Sequence, residues 1–242
     1  MKENKVPRHI GIIIDGNRRF AKKLMLKPWM GHEWGAKKVE QLFDWCKDLN
    51  IKELTLYAFS LENFNRPKEE FDYLMNVFYH EFERLEKDPR IDENKIRIRF
   101  IGRTWKFNQE LQDVMKRIEE KTKKYTSYNI NFAMAYSGRA EIIDAVKKLG
   151  NNIKNGEISV DEINEEVFSK NLYLTSEPDL IIRTGGEKRL SGFLLWQGSY
   201  AEFIFFDKMW PEFEKHDLIS AVEEFNKRQR RFGQWIFLIN SL

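Results

Sequence analysis

The stretch Ile12-Ile13-Ile14-Asp15-Gly16-Asn17-Arg18-Arg19 joins an apolar run to an acid, a glycine and two arginines. A run that is apolar almost throughout is typical of a strand covered on both faces, as in a parallel sheet between helices. Five later runs share this character. The six predicted strands are Ile10–Asp15, Leu54–Ser60, Ile96–Gly102, Ile130–Tyr136, Leu180–Arg183 and Phe203–Phe206.

Helical patterns separate these strands. The predicted helices are Gly35–Asp48, Pro67–Lys87, Gln109–Lys124, Arg139–Leu149, Val160–Ser169 and Asp217–Arg231. Alternating strands and helices predict an α/β fold with a mostly parallel six-stranded sheet flanked by helices. Such sheets bind ligands at the carboxyl ends of their strands, so the polar residues that follow each strand are the candidates for function.

The composition predicts one globular domain over residues 1–242. The chain is 42% hydrophobic and 33% charged, and its length suits one α/β domain with a full core. A net charge of +3 is too balanced for a nucleic-acid-binding surface, so an anion site has to be local. Cys46 is the only cysteine, which excludes an intrachain disulfide and agrees with a reducing compartment.

The chain has no apolar run long enough to span a membrane, and residues 1–8 lack the apolar core of a signal peptide. We therefore predict a cytoplasmic protein with at most peripheral membrane contact. Residues 235–242 form a tail that starts with Trp235-Ile236-Phe237-Leu238-Ile239. Such an apolar tail has to be buried, paired with another chain or in contact with lipid.

Asp15 and Gly16 support two interpretations. A carboxylate at a strand end can hold Mg²⁺, Gly16 lets backbone N–H groups approach an oxyanion, and Arg18 and Arg19 can neutralise its charge. The same residues can instead form an Asp-Gly turn before a helix. The segment lacks the Gly-Lys-Ser/Thr of a P-loop, and no second aspartate lies two residues after Asp15, which argues against an aspartyl-phosphate phosphatase.

A second basic motif, Arg183-Thr184-Gly185-Gly186-Glu187-Lys188-Arg189-Leu190-Ser191, starts at the end of an apolar strand. Two arginines bracket a Gly-Gly turn and a hydroxyl follows, so a second diphosphate is the natural ligand. A solvated basic loop is the alternative. We favour the site, because an arginine that ends a buried strand is costly unless it has a partner.

Four weaker signals remain. The segment Ser60–Pro67 is polar and follows a strand, but an ordinary strand-to-helix loop has the same character. His32 has no metal-ligand partner at a suitable spacing. Glu202 precedes the last strand, and we expect a functional role for it only if a metal ion binds nearby. The helix Pro67–Lys87 has a wide apolar face, which predicts either core packing or the wall of a channel for a long apolar product.

Six strings occur in order along the chain: Asp15-Gly16-Asn17-Arg18-Arg19-Phe20-Ala21, Gly31-His32, Tyr57-Ala58-Phe59-Ser60, Glu62-Asn63-Phe64-Asn65-Arg66-Pro67, Arg183-Thr184-Gly185-Gly186-Glu187 and Tyr200-Ala201-Glu202-Phe203. As an ordered set they resemble the cis-prenyltransferases, the undecaprenyl/polyprenyl diphosphate synthase family, from about Pro7 to Gly233. Phe20 together with Arg18 is closer to the archaeal and eukaryotic variant of that family than to the bacterial one.

The resemblance implies a Mg²⁺-dependent homodimer that condenses isopentenyl diphosphate onto an allylic diphosphate, farnesyl or geranylgeranyl. The product would be a long polyprenyl diphosphate, a glycan-carrier precursor, whose growing chain occupies a hydrophobic channel. Asp15 and Asn63 would be catalytic, and Asp15 and Glu202 would hold the metal. The residues implied to bind substrate are Gly16, Asn17, Arg18, Arg19, Phe20, His32, Ser60, Phe64, Arg66, Arg183, Arg189, Ser191, Arg231 and Gly233.

The resemblance also divides these residues between two substrates. The segment Gly16–Arg19 with His32 would hold the allylic diphosphate, and Arg183, Arg189 and Ser191 would hold isopentenyl diphosphate. Arg231-Phe232-Gly233 matches an Arg-x-Gly element that reaches the partner subunit's site. One departure concerns Pro28, where many members carry an arginine four residues before the histidine; the neighbouring Lys27 is the candidate to replace it.

Two other functions stay open at this stage. The chain could be a non-catalytic subunit of a heteromeric cis-prenyltransferase, although it keeps Asp15, Asn17 and Arg19. It could also be a phosphohydrolase with Asp15 as the nucleophile, against which the missing second aspartate argues.

Overall fold

The computed structural model describes residues 6–228, which contain one six-stranded sheet. The strands are β1 (His9–Ile13), β2 (Glu53–Ser60), β3 (Ile96–Ile101), β4 (Tyr128–Tyr136), β5 (Leu180–Arg183) and β6 (Glu202–Phe205). All pairings are parallel, and the strand order is β3-β4-β2-β1-β5-β6. The predicted α/β fold with a parallel sheet is therefore confirmed, and the six predicted strands all form.

Eight α-helices connect these strands. They are α1 (Asn17–Lys23), α2 (Gly31–Asp48), α3 (Lys68–Glu86), α4 (Pro89–Glu93), α5 (Gln109–Thr122), α6 (Gly138–Lys154), α7 (Glu165–Ser169) and α8 (Lys215–Lys227), in the part of the chain that the structure describes. Short 3₁₀ helices at Pro28–Met30, Leu61–Asn65 and elsewhere complete the connections. Among these residues, no helix is both long and apolar enough to cross a membrane.

Some predicted boundaries were wrong. The single helix expected over Val160–Ser169 is a 3₁₀ turn, Val160–Glu162, followed by α7. The break has a local cause, because the Asn164 side chain accepts a hydrogen bond from the Val167 N–H and so caps a new helix. The helix α8 ends at Lys227, and Arg228 already has extended backbone, so the predicted end at Arg231 was too late.

Both faces of the sheet are covered, as the apolar strands predict. Successive residues of β1, Ile12 and Ile13, belong to two different hydrophobic clusters, and Leu56 and Tyr57 of β2 repeat the pattern. This alternation follows from the two-residue period of a strand, which points neighbouring side chains to opposite faces. The core therefore consists of two layers, one on each side of the sheet.

The strand order places a topological switch point between β1 and β5. After β1 the chain continues to β2, which pairs with one side of β1. The strand β5 pairs with the other side of β1, and the chain continues from it to β6, further away from β1. The loops after β1 and β5 therefore turn away from each other and leave a crevice at their carboxyl ends. Ligands of open α/β sheets bind in such crevices.

Candidate active site

A cavity of about 1490 Å³ opens at this crevice and continues between α2, α3 and one face of the sheet. It is larger than the roughly 300–1,000 Å³ typical of small-molecule pockets. Most of the predicted site residues line it: Asp15, Gly16, Asn17, Arg18, Arg19, His32, Ser60, Asn63, Arg66, Arg183 and Ser191. The structure thus brings together residues from four separate segments of the sequence.

The carboxylate of Asp15 is the centre of the charged end of this cavity. Its Oδ2 accepts a hydrogen bond from Nη2 of Arg183 at 2.9 Å, and Nη2 of Arg19 lies 3.3 Å from its Oδ1. The backbone N–H of Gly16 also donates to Oδ1, at 2.6 Å. Three donors therefore fix the orientation of a carboxylate whose side chain remains one-third exposed to the cavity.

Arg183 is buried, and both Nη atoms of its guanidinium have hydrogen-bond partners, whereas its Nε has none among the described residues. Besides Asp15, it donates to Oγ of Ser191 at 2.9 Å and to the carbonyl oxygen of Arg189. The prediction that this arginine would otherwise be a costly charge is therefore consistent with what surrounds it. The same bonds hold the loop 184–191 over the end of β5, with the Ser191 hydroxyl at the cavity wall.

Gly16 has a backbone that only glycine adopts without strain. Its φ is +104°, and a Cβ at this position would lie 2.9 Å from Cα of Met209. The turn lets the chain pass directly from β1 into α1, so that Arg18 and Arg19 follow Asp15 at the mouth of the cavity. Sequence reasoning missed Thr184, whose hydroxyl donates to the Asp15 carbonyl oxygen at 2.8 Å and accepts from the Asp15 N–H at 3.1 Å.

A second charged group lies at the start of α3 and includes Arg18 of α1. Glu70 is a buried carboxylate in the first turn of α3, and it pairs with Arg66 and, at 3.5 Å, with Arg18. Sequence analysis assigned Glu70 no functional role. The four-residue spacing from Arg66 gave no helical signal, because Arg66 precedes α3 and has extended backbone.

His32 lies beside this group in the first turn of α2. Nη1 of Arg66 donates to its Nε2 at 3.3 Å. Burial, together with the positive charges of Arg66 and Arg18, lowers the pKa of His32 from 6.5 to about 3. The imidazole is therefore neutral at physiological pH in the free protein and acts as a hydrogen-bonding group rather than as a cation.

Ser60 and Asn63 lie at the end of β2 and form a reciprocal cap on the 3₁₀ turn that follows. The Asn63 Oδ1 accepts from the Ser60 N–H at 3.0 Å, and the Ser60 side chain is bonded in return. This cap holds both residues in the cavity wall. Tyr57, earlier on the same strand, donates its hydroxyl to the Ser191 carbonyl oxygen at 3.2 Å and so links this segment to the loop after β5.

Three predicted substrate-binding residues that the structure describes lie outside the cavity lining. The Phe20 ring packs against Trp34, with ring centroids 6.0 Å apart, and Phe64 packs among Phe59, Phe71 and Phe107. The Arg189 side chain is 62% exposed and pairs with Glu187. Sequence position cannot show these directions, because Phe20 and Phe64 each adjoin a residue that lines the cavity and Arg189 is two residues from Ser191, which also lines it.

Lys27, the candidate to replace the arginine absent at Pro28, also points elsewhere. Its Nζ lies 3.2 Å from Oε1 of Glu69 and 5.2 Å from the centre of the Trp29 ring. The ammonium group is therefore paired at the protein surface, near the first turn of α3. Lys27 is not among the residues that line the cavity.

Within one chain, the sheet holds Glu202 away from Asp15, with which it was predicted to hold a metal ion. Glu202 begins β6 and pairs with Leu180 at the start of β5, whereas Asp15 lies beyond the carboxyl end of β1. A four-residue strand separates these edges by about 10 Å, and the Glu202 carboxylate is paired with Arg228 at 2.9 Å. Arg231, Gly233 and the tail over residues 235–242 lie outside the described residues.

The inner part of the cavity is apolar. Side chains of α2, α3 and the sheet line it, and they include Val39, Phe43, Leu56, Leu74, Phe78, Phe82 and Phe132. On α3, Leu74 and Phe78 line the channel, while Met75 is buried in the core. The cavity therefore joins a cationic mouth to an apolar channel, which matches a ligand with an anionic head and a long hydrocarbon tail.

The donor set at the mouth fits Mg²⁺ only if a ligand supplies part of the coordination. Across residues 6–228, no group of three or more His, Cys, Asp or Glu side chains is arranged to hold a metal ion. Mg²⁺ is commonly bound by one or two carboxylates together with waters and substrate phosphates. Asp15 is such a carboxylate, partly exposed and surrounded by groups that suit a diphosphate.

Comparisons with known proteins agree with this geometry. The prenyltransferase family model, which describes undecaprenyl diphosphate synthases, matches residues 13–233. The tritrans,polycis-undecaprenyl-diphosphate synthase (geranylgeranyl-diphosphate specific) of Methanopyrus kandleri is 48% identical over 97% of this chain and 87% of its own. An isoprenyl transferase of Thermus thermophilus is 45% identical over 97% of this chain and 91% of its own.

A solved structure gives the same result. The lavandulyl diphosphate synthase of Lavandula x intermedia, crystallised with dimethylallyl diphosphate, superposes with a TM-score of 0.91 at 34% identity, over 95% of this chain and 99% of that one. These matches cover the strand ends, the cavity and the helices that enclose it. The chain therefore belongs to the undecaprenyl diphosphate synthase family, and it is a cis-prenyltransferase.

Proposed function

We propose that this enzyme condenses isopentenyl diphosphate units onto geranylgeranyl diphosphate with Mg²⁺ and makes a long-chain polyprenyl diphosphate, a precursor of a glycan carrier. The observation that carries the proposal is the single cavity that joins the cationic mouth around Asp15 to an apolar channel. The choice of geranylgeranyl over farnesyl diphosphate is supported by the specificity named for the relative at 48% identity.

The allylic diphosphate would bind at the loop after β1. Arg19 and the backbone of Gly16, Asn17 and Arg18 face the cavity there, and His32 lies opposite. Cleavage of the allylic C–O bond builds negative charge on the leaving diphosphate, which the arginines stabilise. A bound Mg²⁺ ion, held by Asp15 and phosphate oxygens, would add charge stabilisation to the same leaving group.

Isopentenyl diphosphate would bind at the loop after β5. The Arg183 guanidinium and the Ser191 hydroxyl are joined in one hydrogen-bonded unit there, next to Asp15. Arg189 would join them by turning its exposed side chain from Glu187 towards the ligand. The alkene of this substrate attacks the allylic carbon as its C–O bond breaks and the diphosphate leaves, and loss of a proton from the resulting cation then forms the new double bond. Asn63 and Arg66 line the cavity wall and would orient the two diphosphates.

Product length analysis with purified enzyme tests the proposal. The chain is incubated with Mg²⁺, isopentenyl diphosphate and one of three starters: dimethylallyl, farnesyl or geranylgeranyl diphosphate. We expect the highest kcat/KM with geranylgeranyl diphosphate and a series of products that grow by five carbons. A single condensation with dimethylallyl diphosphate would contradict it, and so would release of phosphate from simple esters. No turnover by the purified chain would indicate a non-catalytic subunit.

The dimer is part of the proposal. In a homodimer, Arg231 and Gly233 would complete the site of the other subunit, and the apolar tail would cover the interface or contact the membrane that receives the product. Mixing an Arg231→Ala chain with an Asp15→Ala chain tests this, because one site of the mixed dimer regains both groups. Activity should partly return after subunit exchange. Exchange that is confirmed by a tag but restores no activity would contradict the arrangement.

A further inference from the structure

The far end of the channel is lined by charged residues that the reaction centre does not use. Because α2 starts after β1 and ends before β2, it runs from the carboxyl edge of the sheet towards the amino edge, and α3 leaves β2 in the same direction. The channel between them therefore ends near α4. We call the six charged residues that meet there the ionic clasp: Glu40, Asp44, Glu81, Arg84, Asp88 and Arg90.

Arg84 ties the two walls of the channel together. From the last turn of α3, its Nη2 reaches Oε1 of Glu40 on α2 at 2.9 Å, while Nη1 contacts Glu81 of its own helix at 3.0 Å. The ion pair thus crosses from one helix to the other at the point where the channel ends. All three residues line the cavity.

Arg90 makes a second crossing from α4. Its guanidinium lies 3.0 Å from Oδ2 of Asp44 on α2 and 2.6 Å from Oδ2 of Asp88, which also caps α4. Oε2 of Glu40 lies 4.0 Å away, so the Arg84 and Arg90 crossings meet at one carboxylate. Three helices are therefore joined by ion pairs at the floor of an otherwise apolar channel.

The distance from the mouth to the clasp is set by α3. Glu70, next to the diphosphate end, and Arg84 are fourteen residues apart on this helix, which corresponds to about 21 Å. The wall between them consists of apolar side chains such as Phe78 and Phe82. A hydrocarbon tail that grows from the mouth meets hydrocarbon until it reaches the clasp.

We propose that the ionic clasp sets the length of the product, an inference that rests on the proposed function. The Arg84 and Glu40 side chains are 58% and 34% exposed, so both charges are hydrated at the end of the channel. A tail that advances further has to place hydrocarbon against these charges and displace their water, which is unfavourable even where the ion pair itself adds little to stability. Elongation then slows relative to product release. Removing the charges allows the tail to pass between α2 and α3, and longer products result.

Product lengths from geranylgeranyl and isopentenyl diphosphate test this in four proteins: wild type, Arg84→Met, the double variant Glu40→Leu/Arg84→Met, and Arg117→Met. Arg117 is the matched control, because it forms an exposed interhelix ion pair with Glu86 at 2.9 Å but does not line the cavity. Exposed ion pairs contribute little to stability, so all four proteins should fold. The rate of the first condensation reports whether the mouth is intact.

We expect the most abundant product of Arg84→Met and of the double variant to be longer than that of wild type by at least one five-carbon unit. The first condensation should stay within threefold of wild type, and Arg117→Met should keep the wild-type length. Unchanged lengths in both clasp variants would overturn the inference, and so would equal lengthening in Arg117→Met. A wild-type chain that makes no elongated product would instead refute the proposed function.

Discussion

Replacing Asp15 by asparagine separates the chemical role of this carboxylate from its structural role. The change keeps the shape of the side chain and removes its charge. Arg183, which is buried, keeps its bonds to Ser191 and to the Arg189 carbonyl, and the asparagine oxygen can still accept one. The loss is then the difference between a charged and a neutral hydrogen bond, about 1–1.5 kcal/mol of unfolding free energy.

The expected loss of activity is larger. If Asp15 holds Mg²⁺ against the leaving diphosphate, its removal should lower kcat by about 10²–10³, the usual effect of one such electrostatic element. That factor corresponds to about 2.7–4 kcal/mol of barrier, more than the cost in stability. Turnover with Mg²⁺ and urea unfolding, measured on the same preparation, therefore distinguish the two effects.

Asp144→Asn is the matched control. Asp144 accepts hydrogen bonds from Nε and Nη2 of Arg103 at 2.8 and 2.7 Å, in a pair as close as that of Asp15, but it does not line the cavity. Its substitution should reduce stability by a similar amount and leave kcat near that of wild type. The reasoning fails if Asp15→Asn keeps turnover within threefold of wild type, or if Asp144→Asn loses as much.

Three further predictions concern the same cavity. Arg183→Ala should chiefly raise the KM for isopentenyl diphosphate, and Arg19→Ala that for the allylic substrate; identical kinetic profiles would contradict two separate subsites. Phe78→Trp should shorten the longest product because Phe78 lines the channel, whereas Tyr79→Trp, outside the lining, should not; equal product lengths would make this wall ordinary core. Because the pKa of His32 falls from 6.5 in the unfolded chain to about 3 in the folded one, only the unfolded chain takes up this proton between those pH values, so stability is lost as pH decreases. The unfolding free energy of wild type relative to that of His32→Gln should therefore fall by about 1.4 kcal/mol per pH unit below pH 6.5. Urea unfolding at pH 7, 6 and 5 measures this, and a difference between the two proteins that stays constant with pH would refute the low pKa.

The sequence by itself determined the secondary structure and the chemistry of the strand ends. Apolar runs such as Ile10–Ile14 are consistent with buried strands or buried helices. Their short length and the glycines beside them favour strands. The polar motifs after them, Asp15-Gly16 and Arg183-Thr184, are recognisable from the sequence alone, without knowledge of the residues that they contact in the fold. For this reason the parallel sheet and eleven of the residues that line the cavity were predictable.

The tertiary structure alone decided which of these motifs meet. Arg183 reaches Asp15 across 168 residues because β5 pairs with β1, and no periodicity encodes that strand order. The same order puts Glu202 at the amino edge of the sheet, away from the site to which its position in a motif assigned it. Side-chain direction was equally hidden, so Phe64 joined the aromatic core while its neighbour Asn63 lined the cavity.

The partners of charged side chains are the third feature that only the tertiary structure decided. In the sequence, Glu70 and Arg84 are two of many charged residues on an amphipathic helix, and solvent exposure is the ordinary expectation for each. The fold buries Glu70 between Arg18 and Arg66 and brings Arg84 against Glu40 at the end of the channel. Local patterns record whether a residue tends towards the core or the surface, whereas the partners of a charge depend on which helices the sheet brings side by side.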